Sequence, residues 1–160
     1  MTTNILRASI VALGLAASPA MLMAQDNSIA GVWDVSVTVK NCQTGALIRN
    51  VRSLQMFQPD GSLRETADTA SRGISLGTWS HGQGDTWQAQ FWFFRYNRDG
   101  SFASFAKSVE TITLNNTGGE FSASGTVQDF DANNSPISSG CFTHIASRLD
   151  SPAATSHPAK

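Results

Sequence analysis

"QFWFFRYNRDGSF", residues 90–102, decides the fold. Four aromatic residues stand in a row, Phe91, Trp92, Phe93 and Phe94, and the run ends in Asn97-Arg98-Asp99-Gly100. Aromatic residues are enriched in strands, and a strand sends successive side chains to opposite faces. Phe91 and Phe93 therefore share a face with Trp87 and Ala89, while Trp92, Phe94 and Tyr96 share the other. Asp-Gly at the end of such a run is a hairpin signal, so the next strand begins at once. One apolar face builds a core. The other must be covered by a loop, a partner or a ligand, or else form an exposed patch.

The same punctuation recurs along the chain. Apolar-alternating runs occupy about 31–40, 46–58, 61–66, 75–80, 86–97, 101–114, 120–130 and 136–148. Between them stand "PDG" at 59–61, "HGQGD" at 81–85, "NNTGG" at 115–119 and "DANNSP" at 131–136, all turn chemistry. No stretch holds a helical period. Consecutive hairpins of this length predict an all-β, up-and-down meander. Eight strands are about the number that closes into a barrel holding side chains or one small ligand. A two-sheet sandwich is the alternative.

The ends and the composition narrow the class. Ala8–Ala17 is a short apolar run after a single charge at Arg7, which is the layout of a signal peptide over residues 1–24, with cleavage after Ala20 or Ala24. The expected product is exported, to the periplasm or beyond, with one domain over 25–150 and a polar, Pro-containing tail over 151–160. Eleven basic and twelve acidic residues give −1, and loss of Arg7 leaves ten against twelve, or −2. Neither sign clusters, so the chain offers no nucleic-acid patch. No second long apolar run suggests a transmembrane segment.

Cys42 and Cys141 are the two cysteines. In an oxidising compartment such a pair most simply forms one disulfide, and two distant single cysteines make a poor metal site. Their positions also test closure. Cys42 follows the first strand and Cys141 lies near the start of the last, so they meet only if those strands adjoin. Placing 42 opposite 141 sets Val35 opposite Arg148, with Trp33 on the diagonal. Trp33, Val35, Val37 and Val39 would then face inward together with Phe142, His144, Ala146 and Arg148.

Gly31-Val32-Trp33 at the start of the first strand resembles the Gly-x-Trp opening of lipocalin-like, or calycin, barrels. The resemblance implies that Trp33 packs at the barrel floor under Arg148, a cation–π plug sealing one end. "NCQTG" at 41–45, "GTW" at 77–79, "WQAQFWFFRYNRDG" at 87–100, "FDANN" at 130–134 and "SGC" at 139–141 are similar to a family of exported bacterial proteins. That likeness covers most of the mature chain and brings no activity with it.

These readings give a candidate lumen walled by Trp33, Val35, Val37, Phe91, Phe93, Phe121 and Val127, with His144 and Arg148 as polar anchors. The expected guest is a small hydrophobic or amphipathic molecule. His144 is the one histidine inside a strand. "THIASRL" at 143–149 resembles the late-strand histidine of nitrobindin-type haem barrels, yet a hydrogen-bonded or outward-facing histidine is the plainer reading, and no cofactor or metal is implied. No Gly-x-Ser-x-Gly elbow occurs, and no catalytic residue is assigned. Two alternatives stand beside binding. One is a cyclase- or isomerase-type barrel enzyme using Glu110 or His144. The other is a structural protein with a packed lumen. Glu110 and Arg95 lie on neighbouring strands and are expected to meet. Trp92, Phe94 and Tyr96 are to be covered by the 67–74 loop or by a second subunit.

Overall fold

Each of the eight alternating runs forms a strand in the computed structural model, which describes residues 28–149. In chain order they are β1 (Gly31–Lys40), β2 (Leu47–Phe57), β3 (Ser62–Ala67), β4 (Ser75–His81), β5 (Thr86–Tyr96), β6 (Phe102–Leu114), β7 (Glu120–Phe130) and β8 (Pro136–Arg148). Each pairs antiparallel with the next, and β8 pairs with β1, so the sheet closes into a barrel and not a sandwich. Closure leaves no sheet edge to aggregate. Among the described residues no helix is long and apolar enough to cross a membrane. The leader expected over 1–24 and the tail expected over 151–160 lie outside the described residues.

Two of the hairpins are near copies. Asp60 Oδ1 accepts from the Ser62 hydroxyl at 2.7 Å and the Ser62 amide at 2.9 Å. Asp99 Oδ1 accepts from the Ser101 hydroxyl at 2.7 Å and its amide at 3.0 Å. These bonds, the hydroxyl first, hold both carboxyls below the ordinary aspartate value. The intervening Gly61 and Gly100 both take φ of 84°, a conformation that glycine reaches without strain.

Closure brings Trp33 opposite Arg148, Val35 opposite Ala146 and Lys40 opposite Cys141. The register expected from the cysteines is therefore out by two residues. The reason is local: β1 stops at Lys40, and Asn41 turns the chain by accepting from the amides of Gln43 and Thr44 at 2.9 and 3.0 Å. Cys42 thus sits in the turn and reaches back to Cys141. The disulfide is formed, with the two Cα atoms 5.0 Å apart. A slip of two keeps every side chain on its face, so His144 and Ala146 are buried as expected.

One end of the barrel is packed solid. Trp33, Phe57, Leu63, Ile112 and Phe121 are all buried there, with the Phe121 ring 4.8 Å from that of Trp33, edge to face. The Arg148 guanidinium lies 4.3 Å from the Trp33 ring. It donates to the carbonyls of Ala30, Ser28 and Gly118 at 2.6, 2.7 and 2.9 Å. One side chain thereby ties the segment before β1 and the β6–β7 turn under the tryptophan. Gly31 makes room for it, since a Cβ there would lie 2.5 Å from Arg148 Nη1, on a backbone at φ 142°.

The other end is open. Inward-facing Val37, Val39 and Val51 are only half-buried. β3 and β4 are short, and the chain between them, 68–74, completes the wall at the rim. There the Asp68 amide donates to the Arg52 carbonyl, Gly73 to Phe94, and Tyr96 to Ser71. This segment also covers part of the outer aromatic face: Gly73 lies against the Tyr96 ring. Trp92 is half-buried, with the Lys107 ammonium 5.6 Å from its ring. Phe94 stays 51% exposed, packed only from the side by Phe102 and Phe105. The loop therefore covers Tyr96 and leaves Phe94 open.

Candidate functional site

Below the rim the lumen holds a chamber of about 40 Å³, open at the disulfide end. Val37, Phe91, Phe93, Val127, Phe142 and His144 supply its walls, and Arg49, Arg72 and Arg95 stand around it. Arg95 projects inward from the end of β5, and its Nε donates to Asp129 at 2.7 Å. Arg72 enters from the 68–74 segment. It bonds Glu65 and, at 2.8 Å, the Ser75 hydroxyl, while Ser75 also bonds Glu65. The two guanidinium carbons lie 3.6 and 4.9 Å from the centre of the Phe93 ring, within cation–π range. Burial pulls the Arg72 guanidinium below its ordinary value, and the Glu65 charge opposes that shift. Three guanidiniums here face two carboxylates, so the mouth carries an excess of positive charge.

Beneath the arginines lies a Glu–His pair. Glu110 on β6 and His144 on β8 are both buried, with Nδ1 of His144 2.9 Å from Oε2 of Glu110. The two groups face each other out of line for a hydrogen bond, and neither carboxylate oxygen has an aligned partner in the protein. β7 runs between the two strands, and Gly125 lets them meet across it. A Cβ at Gly125 would lie 2.9 Å from Glu110 Cβ and 2.6 Å from Phe142 Cζ. The imidazole is held flat against the Phe142 ring, 4.6 Å away at 21°. With Nδ1 turned to Glu110, Nε2 is the ring nitrogen left to the chamber.

This layer is unusually polar for a barrel interior. Among the described residues, seven buried side-chain atoms have no hydrogen-bond partner in the protein: Ser53 Oγ, both amide atoms of Gln55, Arg72 Nε, both Glu110 oxygens and His144 Nδ1. Buried polar groups in folded proteins are normally satisfied, and each exception calls for an explanation. Of these side chains, Arg72 and His144 line the chamber, while Ser53, Gln55 and Glu110 are buried without lining it.

The structure divides the candidate residues by level. Val37, Phe91, Phe93, Val127 and His144 line the chamber. Trp33, Val35 and Phe121 lie in the buried core, and Arg148 belongs to the floor plug. The expected meeting of Glu110 with Arg95 does not occur: Arg95 pairs with Asp129, and Glu110 with His144. In both pairs the inward side chain passes over an intervening strand that carries a small residue, Ser104 or Gly125. Asp34 lies outside and accepts from Arg52 Nε at 2.8 Å. Sequence reasoning assigned no role to Glu65, Arg72, Ser75 or Gln55. Glu65 could have been found, because it has the parity of Leu63 on β3.

Fold and lumen together define a closed, eight-stranded antiparallel barrel with an apolar floor and a cationic mouth. No protein-family model, curated protein or solved structure matches the chain.

Proposed function

We propose that the barrel binds a small carboxylate-bearing molecule with a short apolar body in its lumen. The observation that carries this reading is the ring of three guanidinium groups, Arg49, Arg72 and Arg95, around a chamber otherwise walled by Val37, Phe91, Phe93 and Phe142. The arginines match a carboxylate, and two of them are already oriented by Phe93 and by their acidic partners. Phe91, Phe93, Val37 and Phe142 match an apolar body. Size restricts the guest. At roughly 10–15 Å³ per water-sized occupant, the chamber takes about three such groups, hence the short apolar end of a molecule whose carboxylate stays among the arginines at the mouth. A long acyl chain or a porphyrin is far too large for it. The disulfide fits an oxidising, extracytoplasmic setting for this task.

Calorimetric titration tests the reading with butanoate, 2-oxobutanoate and the isosteric butanamide. Both acids are expected to bind, more weakly as salt is raised. The amide should bind about tenfold more weakly or worse, since a charge-assisted contact is lost. Equal binding of acid and amide, or heat from neither, rules the reading out.

A further inference from the structure

We propose that the chamber also performs proton transfer, with His144 as a general base acting on a carbon next to the carbonyl of a short 2-oxo acid. This rests on the lumenal binding reading and adds chemistry to it. A Glu–His pair retained only for packing has an easy substitute, because replacing two buried polar partners by apolar residues of the same shape is often nearly neutral for stability. Here the chain keeps both groups, deletes the side chain of Gly125 so that they can meet, and leaves the imidazole on the chamber wall.

The roles follow from placement. The Glu110 carboxylate beside Nδ1 stabilises the imidazolium that forms when Nε2 accepts a proton, and the Phe142 ring fixes the imidazole plane. The other charged groups of the chamber are engaged at its mouth, Glu65 with Arg72 and Asp129 with Arg95, while Arg49 lies at the exposed rim. On the strands flanking β8, the residues opposite His144 are Val37 and Ala123, neither of which titrates. His144 is therefore the lumenal base with an uncommitted nitrogen.

In the step itself, the Nε2 lone pair takes the proton. The electron pair of the broken C–H bond becomes a C=C π bond, and the carbonyl π pair moves onto oxygen as an enolate. The guanidiniums at the mouth hold the carboxylate and oppose the enolate charge. Reversal returns a proton to carbon, so keto and enol forms interconvert. No oxidant, reductant or further reactant is consumed.

The test follows the C3 methylene signal of 2-oxobutanoate by proton NMR in D₂O. The unaltered protein is expected to exchange these protons on the order of a hundredfold faster than His144→Gln. Glu110 is a positioning residue. Glu110→Gln should slow exchange at saturating acid about tenfold while changing the dissociation constant far less, a split that a merely structural role would not give. If 2-oxobutanoate binds the unaltered protein but exchanges no faster than in buffer, proton transfer is refuted and binding stands. If it does not bind, the binding reading fails and this one with it. If the unaltered protein exchanges these protons and His144→Gln, still binding the acid, exchanges them as fast, His144 is not the base and the inference fails.

Discussion

Reduction of the Cys42–Cys141 bond is expected to remove about 4–5 kcal/mol of unfolding free energy, the chain-entropy value for a loop of this length. The two residues are 99 apart in sequence and join the first strand's exit to the last strand. The crosslink spans the one seam that no hairpin closes, β1 against β8. Without it, the reduced unfolded chain has nearly its full length to explore before those strands meet. Guanidinium unfolding of the oxidised protein and of a Cys42→Ser, Cys141→Ser double variant checks this. The midpoint should fall, with an associated drop in Tm on the order of 15 °C. An unchanged midpoint would mean that the seam holds without its crosslink.

The second large effect concerns Glu65. Glu65→Gln is expected to destabilise the protein by about 3 kcal/mol, because Arg72 is left as a buried charge without its carboxylate. Removing both charges is different. A Glu65→Met, Arg72→Met double variant should lie within about 1 kcal/mol of the original, since the desolvation of both ions disappears along with their attraction. The same double variant should lose most of its affinity for butanoate, as Arg72 is half of the guanidinium pair on Phe93. A stable double variant that still binds would show that Arg72 serves packing alone. A double variant as unstable as Glu65→Gln would show that the buried pair holds the rim together.

The strands were legible because their signal is local. Alternation and Asp-Gly punctuation put each boundary within a residue of its place, and the positions of the two cysteines imply closure. What failed was contact across strands. Cys42 was taken to extend β1, although Asn41 had already turned the chain, so the register came out two residues wrong with parity intact. Arg95 was matched to the acid on the neighbouring strand, whereas its partner Asp129 stands two strands away, across Ser104. Strand order alone does not show which small residue leaves a gap. Arg72 was invisible for another reason: it sits in an irregular segment, where no periodicity indicates which way a side chain points. His144 was the exception, since its face followed from the parity of β8 even with the wrong register.

Butanoate is expected to enter the lumen at the disulfide end, and NMR mapping of a titration shows where it sits. The outer wall offers a rival, an apolar groove formed by Val32, Leu54, Met56 and Ile74. Resonances of Val37, Phe91, Phe93 and His144 should move together to saturation while those of the groove stay still. Shifts confined to Leu54, Met56 and Ile74, or none at all, would contradict entry into the lumen.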